Sequence, residues 1–426
     1  MTRLLLFTND YPYRAGDAVF VAKEIDALAA AFDDVVVFCH ARDTSAGMMA
    51  MPDRVRLGGN LFAPAPEDAL RGLLEWPAVR LFLQAAWQEL LAGRLFRHPR
   101  LFLMGAKVGL TQAHRTAVRE AIADADDVVA YGFWAMGGGL GVPWLQGVRA
   151  RAVRAHGYDL YEERAALRYL PARPFLYQRA DRVLAISENG ARYIARRYPQ
   201  ARGRIFVSRL GVFGPESLHR PEQRWQTTIV SCSAVSDIKR VGKILDAVRD
   251  LAASIPQRSL RWVHFGDGPL MPALRAAVSD AVDGVTVELR GHVDNAEVLD
   301  FYGRERVDLF VNVSTTEGVP VSIMEAIAHG IPIVATDVGG TREIVGRRLR
   351  TGALVRADAS TDEIVAAMRE VLDAPADALA PRALWEREYD ARITGVRAAE
   401  LIRATTYGSH SATAEERGYS NGGAGP

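Results

Sequence analysis

Lysine and cysteine are both scarce in this 426-residue chain. Only Lys23, Lys107, Lys239 and Lys243 among the 52 basic residues are lysine. That bias reads as genomic base composition rather than function. The two cysteines, Cys39 and Cys232, are too few for a disulfide framework or a thiolate metal site. Each lies in or beside an apolar strand pattern and reads as a small buried hydrophobe, which fits a reducing cytosol. Net charge is +1, so no overall field draws the chain to nucleic acid. No run of about 18 apolar residues exists to span a bilayer. The start, Met1 to Phe7, reads as a strand rather than a secretion signal. The G-x-G-x-x-G dinucleotide fingerprint is also missing.

What is present is a globular composition, 49% hydrophobic and 24% charged. The length allows two or three domains with full cores. Strand patterns alternate with helix patterns twice over. The first half opens with strand 4–8, loop 9–17, helix 19–31 and strand 35–39, a βαβ unit. Further strands fall at 127–131, 151–155 and 183–187. After Leu210-Gly-Val-Phe-Gly-Pro215 the pattern restarts. Strands at 228–233, 261–265, 285–289 and 331–335 alternate with helices at 243–254, 271–278 and 361–372. This predicts an α/β chain with two Rossmann-like, doubly wound domains facing across a cleft. The expected boundaries are 1–209, 210–388, a helix at 389–406 returning to the first domain, and a disordered tail at 407–426.

The most informative stretch runs from Ser314 to Gly340. Residues 307–313 read as a buried parallel strand. Glu317-Gly-Val-Pro320 follows, then a helix over 321–329 that stops at Gly330. Its first N–H groups lack helical partners and the dipole adds positive potential, so a phosphate fits that end. Glu317, before the helix, is expected to stand free to accept hydroxyls. Glu325 lies about one turn inside, among Ile323, Met324, Ala326 and Ile327, where an ionised group needs a partner. Two acceptors flanking a phosphate suit a sugar on one side and a ribose on the other. A loop carboxylate and a solvated helix residue are the plain alternatives.

Glu317-Gly-Val-Pro-Val-Ser-Ile-Met-Glu325, Gly330-Ile-Pro-Ile-Val-Ala335, Asp337-Val-Gly-Gly-Thr-Arg-Glu-Ile344, Phe265-Gly-Asp-Gly-Pro-Leu270 and Ala155-His-Gly-Tyr-Asp159 together resemble glycosyltransferase family 4. These are retaining, nucleotide-sugar-dependent enzymes of the GT-B fold. The likeness spans residues 1 to about 405 and is nearest to bacterial enzymes of surface-polysaccharide assembly. It implies that Glu317 faces donor-sugar hydroxyls and that Glu325 binds the ribose. The backbone of Gly318, Val319, Pro320 and Val321 would cradle the distal phosphate and sugar. Lys239 would pair with the diphosphate, and His156 would stand near the donor sugar. Gly291 and His292 would meet the base, with Gly266 and Gly268 in a donor-side turn. Gly16 and Tyr158 fall on the acceptor side. The family's arginine five positions before the lysine is here Ala234. Arg240 or Lys243 compensates, or helix amides meet the charge.

The resemblance implies transfer of a sugar from a nucleoside diphosphate, UDP or GDP, to a hydroxyl of a glycan or lipid-linked acceptor, without metal or other cofactor. A nucleotide-sugar 2-epimerase and a non-catalytic nucleotide-sugar-binding partner of another transferase are the rivals. Alone, Lys239 fits a solvated loop lysine, His156 a core histidine, and Gly266 and Gly268 turn-formers. Ser187 reads as the cap of the next helix. Residues 70–110 interleave Trp76, Phe82, Trp87, Phe96 and Phe102 with arginines. That pattern fits either a peripheral contact with the inner face of a membrane or a helix pair on its own sheet. A cytoplasmic site of action is expected, with no nucleic-acid partner.

Overall fold

A computed structural model describes residues 1–62, 75–218, 226–278, 284–375 and 377–404. The tail at 407–426, the start of the 70–110 segment and part of the polar run after Pro215 lie outside the described residues. The chain divides into two compact units. The first is Met1–Leu210 with the chain from Thr394, and the second is Gly211–Ile393.

The first unit is built on a seven-stranded sheet. Its strands are β1 (Thr2–Phe7), β2 (Asp34–Cys39), β3 (Val55–Asn60), β4 (Asp127–Gly132), β5 (Ala150–Ala155), β6 (Arg182–Ala185) and β7 (Ile205–Val207). They are ordered β3-β2-β1-β4-β5-β6-β7 and all neighbours are parallel. Leu5 sits opposite Val36 on one side and Ala130 on the other. Strands covered on both faces must be apolar throughout, hence the unbroken Leu4-Leu-Leu-Phe7 run, all buried.

The second unit carries six strands, β8 (Gln226–Cys232), β9 (Ser259–Phe265), β10 (Val285–Gly291), β11 (Leu309–Asn312), β12 (Ile333–Thr336) and β13 (Gly352–Val355). Their order is β10-β9-β8-β11-β12-β13, again parallel. The helix Val241–Ser254 buries Val241, Ile244, Leu245, Val248, Leu251 and Ala252, one stripe at helical spacing. Thr361–Leu372 begins with a capping box. Ser360 Oγ accepts from Glu363 N, and Glu363 Oε2 accepts from Ser360 N.

Several expectations need correction. The helix over 19–31 is two helices, Ala18–Val21 and Ile25–Ala31. Between them Lys23 N and Glu24 N bond three residues back, to Phe20 O and Val21 O. Glu24 turns inward there to pair with fully buried Arg154 at 2.5 Å. Strand β3 does not announce itself in the sequence because Gly58 and Gly59 break its apolar pattern. Gly58 is required by packing, since a Cβ would lie 2.6 Å from the Phe38 ring. Strand β13 opens on Gly352 at φ +143°, where a Cβ would meet Ile333 O at 1.8 Å. Cys39 is buried as expected, but Cys232 is only half-buried.

Candidate functional site

In the second unit the candidate residues gather where β8, β9 and β11 end. Asn312, the last residue of β11, accepts from Ser314 N and Ser314 Oγ and so bends the chain into its loop. Thr315 N bonds Ile238 O, and Arg240 Nε bonds Val313 O at 2.6 Å. These bonds tie the loop after β8 to the loop after β11. They bring Lys239 Nζ to 2.7 Å from Glu317 Oε1, which Asn312 Nδ2 also approaches at 3.3 Å. Glu317 is therefore not a free acceptor, as the sequence suggested, but half of an ion pair with the expected phosphate cation.

The other basic residues point elsewhere. Arg240 is spent on Val313 O and Ser314 O, and Lys243 Nζ donates to Ala359 O. Neither makes up for Ala234 in this arrangement. Lys239 is the cation set beside Glu317.

Past Glu317 the chain runs through Gly318 and Val319 to Pro320, the N-cap of the helix Val321–Ala328. No side chain caps that end, so its positive terminus is open to an anion. The facing loop after β12 holds the cradle from behind. Gly340 N donates to Gly318 O at 2.7 Å. Gly339, at φ +57°, passes so close that a Cβ would lie 1.9 Å from Glu317 O.

Glu325, buried inside the helix, accepts from Asn295 Nδ2 at 3.0 Å. Asn295 opens the helix Asn295–Arg304, shortly after Gly291 and exposed His292. The partner that an ionised carboxylate requires among apolar neighbours comes from this loop. Sequence reading missed Asn295, because nothing in local spacing links it to Glu325. The turn after β9 is locked by close backbone contact. Gly266 N donates to Gly291 O at 2.8 Å, and Gly266 adopts φ +133° against Ser233 O. Gly268 runs against Val235 O. Both are turn-formers that seat the loop bearing Lys239. Burial pushes the Cys232 thiol up to about 12, with the nearby Glu325 charge adding to the effect, so it stays protonated.

In the first unit the ends of β1, β4 and β5 hold His156, Gly16 and Tyr158. Asp17, buried, accepts from the backbone N of Asn9, Asp10 and Tyr11 and from Trp134 Nε1 at 2.8 Å. Gly16 at φ +48° leaves room for the Asp10 carboxylate. Trp134 lies over His156, ring centroids 3.7 Å apart, and 5.0 Å from the Tyr158 ring. Tyr158 is exposed, its hydroxyl held by Asn9 Nδ2. Burial holds the His156 imidazole below its ordinary pKa, against the opposing pull of Asp159. It is therefore neutral at pH 7. Asp17, Asn9 and Trp134 carry no signal in the sequence, since their convergence is tertiary. Ser187 caps the helix Glu188–Arg197, accepting from Gly190 N at 3.0 Å. Among the described residues no cluster of three His, Cys, Asp or Glu could hold a metal ion, and no helix is long and apolar enough to cross a membrane.

Residues 226–374 match the glycosyl transferases group 1 family. An Escherichia coli K12 protein named as a colanic acid biosynthesis glycosyltransferase is 30% identical over 200 residues, 45% of this chain and 48% of that protein. The amylovoran biosynthesis glycosyltransferase of Erwinia amylovora is 26% identical over 266 residues, 58% of this chain and 62% of that one. The match thus spans about half the length of the first of these curated relatives. Among solved structures, a lipopolysaccharide outer core galactosyltransferase superposes with TM-score 0.58 at 13% identity, covering 95% of this chain and 99% of that one. An Anabaena protein solved with UDP and glucose superposes at 0.60 with 16% identity, covering 95% and 100%. Two parallel-sheet units of this kind are the GT-B architecture, and the second unit of this chain is a glycosyl transferases group 1 domain.

Proposed function

We propose that the chain is a retaining glycosyltransferase of polysaccharide biosynthesis, moving a hexosyl group from a nucleoside-diphosphate sugar, UDP- or GDP-linked, to a hydroxyl of a glycan or lipid-linked acceptor. The observation that carries this reading is the Lys239–Glu317 pair set before the uncapped helix Val321–Ala328. A donor diphosphate entering there takes over Lys239 and the helix amides. Glu317 is released toward the sugar hydroxyls, and Glu325 accepts from the ribose. Lys239 then meets the charge that grows on the leaving phosphate. Within the first unit, neutral His156 can accept or donate one hydrogen bond without adding charge. The relatives named for colanic acid and amylovoran biosynthesis support the pathway class, and the neighbour solved with UDP and glucose supports a UDP donor. Action in the cytoplasm, at the inner face of a membrane, belongs to the same reading.

The test is a thermal-shift panel of UDP-, GDP- and ADP-sugars on wild type and Glu325→Ala. A ligand that binds only the folded state raises its apparent stability by mass action. One nucleotide class should raise the melting temperature of the wild type and not of the variant. Anomeric analysis of the product by NMR then tests retention. Donor consumed without any acceptor would instead favour the epimerase. Binding without turnover across acceptors would favour the non-catalytic partner. No shift with any nucleotide would overturn the reading.

A further inference from the structure

Seven of the exposed large apolar side chains among the described residues lie between Trp76 and Met104 of the first unit. They are Trp76, Leu83, Trp87, Leu91, Phe96, Leu103 and Met104, with Trp76 72% and Phe96 81% exposed. Their positions are ordered. In the helix Trp76–Leu91 the outward residues are Trp76, Arg80, Leu83, Trp87 and Leu91. At about 100° per residue these span about 80° of arc. The opposite side carries the buried Ala78, Leu81, Ala85 and Glu89. The helix Pro99–His114 repeats the arrangement, with Arg100, Leu103, Met104 and Lys107 outward and Phe102, Gly105, Ala106 and Gly109 inward. The two helices meet through Phe82 and Phe102, ring centroids 5.8 Å apart. Both insert into one core with β1 and β2. Their outward stripes therefore share the outer layer of the unit, joined by the turn carrying Phe96 and Arg97.

The charge on this layer has one sign. Arg80, Arg97, Arg100 and Lys107 are exposed. Glu89, the one acid from Trp76 to Lys107, is fully buried and paired with Arg94 at 3.2 Å. Amphipathic packing on the unit's own sheet thus accounts for the inner faces only. A second copy of the chain is a poor occupant, because a two-fold interface sets each patch against itself and brings these four cations together. Aromatic and aliphatic side chains interleaved with cations fit the boundary of a bilayer instead, where rings enter the headgroup layer and arginines meet phosphates.

We infer that the layer formed by the helices Trp76–Leu91 and Pro99–His114 docks on anionic phospholipid, with Trp76, Trp87, Leu91 and Phe96 inserted and Arg80, Arg97, Arg100 and Lys107 on the headgroups. The inference rests on the transferase reading only for what the membrane presents, a lipid-linked acceptor. The docking stands on the exposed stripe itself. It keeps the chain on the leaflet where such an acceptor lies, so that the acceptor is found by diffusion in two dimensions.

The experiment is flotation of the full chain with vesicles of phosphatidylcholine alone or mixed with phosphatidylglycerol, at low and high salt. Binding is expected on the mixed vesicles at low salt, lost at high salt and weak on phosphatidylcholine. At roughly fivefold per cation, the double variant Arg97→Gln, Arg100→Gln should bind about 25-fold more weakly. The double variant Trp87→Ser, Phe96→Ser should lose binding while keeping the wild-type melting temperature. Absence of binding to mixed vesicles at low salt overturns the inference. So does equal binding to both vesicle types, or a wild-type dimer in solution that Trp87→Ser dissociates. The nucleotide-induced melting shift reads the second unit separately. A chain that floats but binds no nucleotide keeps its lipid face and loses the transferase reading.

Discussion

Gly339→Ala probes the donor cradle without touching any side chain in it. Gly339 sits at φ +57°, and its missing Cβ would lie 1.9 Å from Glu317 O and 3.2 Å from Gly318 O. An alanine in this left-handed conformation costs about 1–2 kcal/mol. Relief of the clash moves one backbone by roughly 1 Å, because both contacts are main chain and the interior is close-packed. That shift strains the bond from Gly340 N to Gly318 O, 2.7 Å long and worth about 1 kcal/mol. The total is about 2–3 kcal/mol, a fall in melting temperature of roughly 5–10 °C for a unit of this size. Binding should suffer beyond stability, since Glu317 and Gly318 are the residues displaced. Misplacement by about 1 Å can cost up to a hundredfold in a positioned site. Isothermal titration with the nucleoside diphosphate chosen by the panel should show affinity lowered by more than about tenfold. Gly242→Ala is the control. Gly242 lies exposed in the helix Val241–Ser254, and a methyl group there would have nothing within 4 Å. It should gain about 0.5–1 kcal/mol and bind as wild type. Undiminished affinity in Gly339→Ala would refute the claim that the loop after β12 sets the cradle.

Two further outcomes follow from the same unit. Asn295→Ala removes the amide that holds Glu325, and Asn295 is exposed, so folding should survive. Discrimination between a nucleoside diphosphate and its 2′-deoxy form should shrink in titration while the preference for diphosphate over monophosphate persists; an unchanged ribose preference would sink the positioning role. His264, fully buried beside Ser231 at 2.8 Å, is held down to about 4 by desolvation. Its folded pKa lies below the unfolded value near 6.5, so the unfolded chain binds the extra proton in that window. Stability should be full above about pH 6.5 and fall by about 3 kcal/mol on going to pH 4. Urea midpoints should trace that fall, and His264→Asn should flatten it.

Local pattern is enough to specify the elements and most of the donor-side chemistry. Buried parallel strands need continuous apolar runs and helices need a stripe, so Leu4–Phe7, Met271–Val278 and Thr361–Leu372 are legible in the sequence. Glu317, Pro320 and Glu325 are legible because strand end, loop and helix start are consecutive in the chain. Strands β3 and β13 are not, since their glycines answer to Phe38 and Ile333, residues on other strands. The partners emerge only in the folded chain. Lys239 meets Glu317 because β8 and β11 are neighbours in the sheet, although the two residues are 78 apart in sequence. Asn295 reaches Glu325 across 30 residues, and Asp17 reaches Trp134 across 117. Spacing carries information along one element, where backbone geometry is regular. Which side chain neutralises which charge depends on strand order, and strand order is set by how whole elements bury their faces.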